Sequence, residues 1–156
     1  MSTPLQAISG VANACQVTPT LVTGGQPGRE HLEALKAAGV EVVLDIRDPM
    51  ESRPLGDEAA VAREIGLAYE NVPVRQGAAG PAEMERILDV LRRNKGKQMF
   101  FHCGTANRVG GALIPYFMLD EGMSEDDAVQ RAMQVGLRSP EFLEWGLDYA
   151  RSHARE

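Results

Sequence analysis

Apolar residues along this chain keep two rhythms: short β-branched or aromatic runs, and stripes spaced three and four positions apart. Val11 to Thr23 reads as one or two short strands turning at Thr18-Pro19-Thr20. After the Gly24-Gly25-Gln26-Pro27-Gly28 loop, Leu32, Leu35 and Ala38 have helical spacing, and Gly39 supplies a stop. Val40 to Ile46 is a buried strand by composition. Asp57 caps a short helix that ends at Ile65 and Gly66, and Leu67, Tyr69, Val72 and Val74 belong to a further strand.

Pro81 suits a first helical position, followed by the stripe Met84, Ile87, Leu88 and Leu91. Gln98 to His102 is the next strand, and a helix is expected after its loop as far as about Leu119. Ser124 with Asp127 opens a helix carrying Ala128, Val129, Ala132 and Met133. Ser139-Pro140 opens the last, with Phe142, Leu143, Trp145 and Leu147. Strands alternating with helices predict an α/β fold, a mostly parallel central sheet with helices on both faces. Functional sites in such sheets lie at the carboxyl ends of the strands.

Length and composition narrow the picture. The 156 residues suit one domain, residues 1–156, with 44% hydrophobic and 24% charged residues. No internal repeat or linker interrupts them. Net charge is −6 and the 16 basic residues form no long cluster, which excludes nucleic acid as the expected main partner. No segment is apolar enough to span a membrane, and no secretory signal is evident at Met1 to Gln6. Cys15 and Cys103 make no disulfide framework and fit a reducing compartment, so a cytoplasmic location is expected. His31, His102 and His153 are scattered, so no metal site is expected, and no glycine fingerprint implies a nucleotide cofactor. Periodicity leaves the oligomeric state open.

The chemistry concentrates in His102-Cys103-Gly104-Thr105-Ala106-Asn107-Arg108-Val109-Gly110-Gly111. A strand ends at a cysteine, a loop of small residues follows, and an arginine stands on the first turn of a helix. Small residues let backbone N–H groups converge, making an anion-binding concavity at the helix start. The same field favours a thiolate, the reactive form of cysteine. Arg108 has the fork to hold two oxygens of an anion. Cys103 is the candidate nucleophile, and the amides of Gly104, Thr105, Ala106, Asn107 and Arg108 are the candidate cradle. His102 either buttresses the loop by hydrogen bonding or is a packed core histidine. The reading requires room above the sulfur for a tetrahedral guest.

The segment from His102 to Gly110 resembles the active-site loop of the cysteine-dependent phosphatases, which include the dual-specificity and tyrosine phosphatases. Thr23-Gly24-Gly25-Gln26-Pro27, the Ala37-Ala38-Gly39-Val40 lead into a strand, and His102-Cys103 to Gly110 are similar to a bacterial phosphatase-like family. That family also occurs as the domain attached to beta-lactamase-hydrolase-like proteins. The likeness runs in order from about Val17 to Leu147. It implies a dual-specificity-phosphatase-like three-layer sandwich. It also implies attack of Cys103 on phosphorus, oxyanion binding by the loop amides and Arg108, and a separate carboxylic acid that protonates the leaving group.

Three positions depart from that pattern. Four residues separate Cys103 from Arg108, where tyrosine phosphatases have five and rhodanese loops have four. Val109 stands where a Ser or Thr hydroxyl usually assists thiolate departure. The stretch Arg75 to Gly80, where the acid is expected, holds no carboxylate. Asp48, with Glu51 beside it, can supply the proton if their loop folds over the cradle; the plain alternative for both is a solvated loop carboxylate. Cys15 is read as a buried spectator thiol in preference to a resolving partner for an oxidised Cys103. Three functions stay open: hydrolysis of small anionic phosphate esters through a phosphocysteine, sulfur transfer from a sulfane donor through a Cys103 persulfide, and a non-catalytic oxyanion-binding or interaction module.

Overall fold

A computed structural model describes residues 2–154. Five strands form one sheet: β1 (Cys15–Thr18), β2 (Leu21–Gly24), β3 (Val42–Asp45), β4 (Ala68–Asn71) and β5 (Met99–His102), in the order β1-β2-β5-β3-β4. β1 and β2 form an antiparallel hairpin across the Pro19-Thr20 turn, and every other neighbouring pair is parallel. Parallel pairing brings the carboxyl ends of β2, β3, β4 and β5 to one end of the sheet.

β5 lies at the centre, and its sequence explains why. Met99, Phe100, Phe101 and His102 are all buried, without polar alternation, as a strand covered on both faces requires. Phe100 lies in register with Val22 and Val43 and packs under α1 (Pro4–Ala7), α2 (Arg29–Ala37) and α3 (Glu58–Ile65). Phe101 lies in register with Leu44 on the opposite face, under α4 (Pro81–Arg93), α5 (Asn107–Pro115), α6 (Glu125–Val135) and α7 (Pro140–His153). Helices therefore cover both faces, as the alternation of elements predicts.

Local chemistry sets the helix ends. Asp57 caps α3 by accepting the Ala60 N–H at 3.1 Å, and Gly66 ends it in the left-handed region at φ 101°. Ser124 accepts the Asp127 N–H at 3.1 Å and starts α6. α5 ends at Pro115 and continues as a π-helical turn, Tyr116–Asp120, so the helix expected up to Leu119 is present in two geometries. α1 was not foreseen, although Thr3, Pro4 and Gln6 spell a capping box with proline at the first position.

Val109 to Pro115 of α5 are all buried between the sheet and α6 and α7. That depth demands glycine. A Cβ on Gly146 of α7 would overlap the Gly111 carbonyl, and one on Gly111 would lie 2.6 Å from the Phe142 oxygen. At the sheet edge, Arg131 of α6 donates to the Gln16 and Val17 carbonyls of β1, each at 3.0 Å. Among the described residues no helix is long and apolar enough to cross a membrane.

Candidate active site

The site forms where β5 gives way to α5. The Cys103 N–H makes the last ladder bond, to the Gly24 oxygen at 3.3 Å. Four peptide units then turn the chain, and in each the carbonyl is tied down on the outside. The Cys103 oxygen accepts from His102 Nδ1 at 3.2 Å and the Gly104 oxygen from the Gln26 N–H at 3.0 Å. Asn13 Nδ2 donates to the Thr105 oxygen at 2.8 Å, and the Gly110 N–H donates to the Ala106 oxygen at 3.0 Å.

A planar trans peptide points its N–H opposite its carbonyl. The amides of Gly104, Thr105, Ala106 and Asn107 therefore face away from these anchors, and among the described residues neither they nor the Arg108 amide donates to a protein acceptor. Open donors beside a helix N-terminus have the chemistry that suits an anion. Ala106 makes the final reversal at φ 70°, with its methyl against Gly136. Gly25 is required for the first contact, since a Cβ there would fall 2.5 Å from the Gly104 oxygen. The Gly24-Gly25-Gln26 turn thus belongs to the site as a buttress.

Arg108 stands on the first turn of α5 with its side chain 14% exposed. Its Nη1 and Nη2 donate to Glu51 Oε2 and Oε1 at 2.6 and 2.9 Å, and Nη1 also reaches the Val74 oxygen at 3.0 Å. Burial disfavours its charge, but Glu51 and the Cys103 sulfur together raise the guanidinium above its ordinary range. A Cβ on Gly104 would lie 3.4 Å from Nη2, so the fork reaches across the loop. Cys103 itself has no exposed surface. The open thiol that the sequence reading requires is thus not found: the sulfur lies under a guanidinium that Glu51 draws over the loop.

Above it opens a cleft of about 390 Å³ whose walls include Asp48, Glu51, Arg75, Thr105, Asn107 and Arg108. Asp48 lines this cleft together with Arg108. Its Oδ2 accepts from Arg75 Nε at 2.5 Å and its Oδ1 from the Met50 N–H at 3.0 Å, and these bonds hold the carboxyl below its usual range. Glu51 is also lowered: burial pushes it up, and Arg108, the Asp48 N–H and Arg47 together more than offset that. Asn107 offers the cleft only its backbone amide, because its side chain bonds Arg138 and Ser139.

Behind the loop lies a buried polar network that the sequence reading missed. His102 Nε2 meets Glu58 Oε2 at 2.6 Å, and Gln26 Nε2 donates to the other Glu58 oxygen at 2.8 Å. Asp45 accepts from the Tyr69 hydroxyl at 2.6 Å and the Arg47 N–H at 2.8 Å. Among the described residues, Asp45, Glu58 and His102 are the one group placed to ligate a metal. Each is already engaged by protein partners: His102 and Gln26 hold Glu58 below its usual range, while burial raises the Asp45 carboxyl despite His102, Tyr69 and the Arg47 N–H. The set is an ion-pair network. Cys15 on β1 pairs with Thr23, and Thr23 with Phe101. Two strand spacings, about 10 Å, thus separate it from the Cys103 strand, beyond the reach of a disulfide.

No family model matches the chain, and no curated protein matches its sequence. Solved structures do match. A DUF442 protein of Shewanella putrefaciens, described as a candidate phosphatase, superposes with a TM-score of 0.85 at 20% identity over 97% of this chain and 99% of that one. TpbA of P. aeruginosa gives 0.72 at 18% identity over 94% and 87%. The core catalytic domain of the PP-IP phosphatase SIW14 of S. cerevisiae gives 0.71 at 12% identity over 91% of each chain. At these identities the likeness is one of fold. The chain is built on the α/β fold of the cysteine-dependent phosphatases, with a small-residue loop of open backbone amides at the end of its central strand.

Proposed function

We propose that this protein hydrolyses small phosphate monoesters, with Cys103 as nucleophile and Arg108 and the amides of Gly104 to Arg108 binding the non-bridging oxygens. The reading rests on one observation: the carbonyls of residues 103 to 106 are tied outward while the amides that follow them stay free of protein acceptors. Donors fixed in advance are what a dianionic phosphoryl group needs, because they cost no reorganisation as charge moves. The Cys103 sulfur forms a bond to phosphorus as the ester P–O bond breaks. The departing oxygen takes a proton, assigned here to Asp48, an acid lining the same cleft as Arg108. Water then attacks the phosphocysteine, releasing phosphate and the thiolate. Asp48 must leave Arg75 and gain a proton before it can act as the acid.

Sulfur transfer through a Cys103 persulfide is the second reading, favoured by the four-residue spacing from Cys103 to Arg108. The two are separated by one pair of assays on wild type and Cys103→Ser. Hydrolysis of an aryl phosphate that vanadate blocks and Cys103→Ser abolishes supports the first. Gain of one sulfur mass on Cys103 after thiosulfate, passed on to cyanide, supports the second. Neither activity, with vanadate still bound, leaves an oxyanion-binding module.

A further inference from the structure

We propose that Glu58 is a positioning residue for the anion cradle: it keeps the buried His102 ring doubly protonated, and the imidazolium fixes the first peptide of the loop with its N–H toward the anion. The inference rests on the cradle reading of the Cys103 loop and not on which ester is hydrolysed there.

His102 Nδ1 faces the Cys103 carbonyl oxygen at 3.2 Å, and a carbonyl oxygen only accepts. His102 Nε2 faces a Glu58 carboxylate oxygen at 2.6 Å. The other oxygen of that carboxylate is taken by the Gln26 amide N–H, as suits an ionised acceptor. With Glu58 ionised, as its lowered carboxyl favours, both ring nitrogens carry hydrogen, and the ring is a cation with no exposed surface.

The groups facing it come from every side. Glu58 approaches from α3, and Asp45 from β3 at 4.0 Å, with the Tyr69 hydroxyl of β4 bonded behind it. The Phe100 ring stacks at 5.2 Å, and Arg47 reaches Gln26 at 2.5 Å. Burial lowers the imidazole, yet Glu58, then Asp45 and the Cys103 carbonyl, hold it above its ordinary value.

The consequence passes through one peptide bond. A charged donor on the Cys103 oxygen polarises the Cys103–Gly104 peptide and makes the Gly104 N–H a stronger donor. Glu58 touches neither anion nor thiol; it acts on the cradle through His102.

The experiment uses the full chain and the tungstate dianion, in a Cys103→Ser background that removes the thiol. With Glu58 present, ¹⁵N shifts should show both His102 nitrogens protonated and tungstate affinity flat from about pH 6 to 8. Adding Glu58→Gln should let His102 titrate in that range, with affinity falling about five-fold as the charged hydrogen bond becomes a neutral one. A folded Glu58→Gln protein with an unchanged profile overturns the inference. So does a bare His102 nitrogen at neutral pH before Glu58 is altered, a measurement that needs no second variant to fold. Absent tungstate binding at every pH instead removes the cradle, and the proposed function with it.

Discussion

The Glu51 carboxylate meets the Arg108 guanidinium fork to fork, at 2.6 and 2.9 Å, and so occupies the donors that an oxyanion would claim. A substrate must share or displace that contact before its phosphorus can approach the sulfur. Glu51→Ala should therefore uncover the thiol. Alkylation of Cys103 by iodoacetamide is expected to speed up several-fold, and a rate equal to or below wild type would show that Glu51 does not hold the cover in place.

Replacing the fork itself has the opposite effect. Arg108→Lys keeps the charge and loses the paired, planar geometry, and kcat/KM for an aryl phosphate should drop at least ~100-fold. A loss confined to KM would mean that Arg108 binds ground state and transition state alike.

Asp48 is tested by its choice of leaving group. Asp48→Asn should slow alkyl phosphates by about two to four orders of magnitude and activated aryl phosphates far less. Equal rates for both classes in wild type and variant would take Asp48 out of the mechanism.

His102 and Glu58 tie stability to pH with opposite signs. Burial raises the Glu58 carboxyl, but its bonds to His102 and Gln26 bring it below the usual range; its contribution holds above the unfolded value of about 4.3 and is lost as pH falls through the lower folded one. His102 is raised, so its contribution is complete below about 6.5 and is lost as pH rises through the folded value. Thermal melts should show a plateau between about pH 4.3 and 6.5 with a decline on either side. Glu58→Gln should lower the plateau and flatten the alkaline limb; an undiminished limb would locate that loss elsewhere.

Away from the site, Gly146→Ala sets a methyl against the Gly111 carbonyl at the α5–α7 crossing. A cost of about 3 kcal/mol is expected, lowering Tm by roughly 10 °C in a domain of this size. A neutral effect would mean that the two helices can part without cost.

Features carried by neighbours in sequence were legible before any coordinates. Asp57 with Gly66, Ser124 with Asp127, and the small loop between Cys103 and Arg108 each act within one helical turn or one peptide run, and each is found as expected. What escaped is carried by pairs far apart: Glu51 with Arg108, and Glu58 with His102. Those meetings depend on β5 inserting between β2 and β3, which local patterning does not encode. Asp48 and Glu51 consequently also read as solvated loop carboxylates, although Asp48 is buried and Glu51 closes on Arg108. The Thr3 capping box is equally local, carried by Thr3, Pro4 and Gln6.

The guanidinium of Arg131, clasping the carbonyls of the outermost hairpin strand, bears on how molecules of this protein meet one another. Those oxygens are spent and cannot template a stranger's backbone. The other border of the sheet, the four-residue β4, is short and carries Glu70, which pairs with Arg93. Crowding should thus press these molecules together through their helices, leaving ribbon-to-ribbon annealing disfavoured.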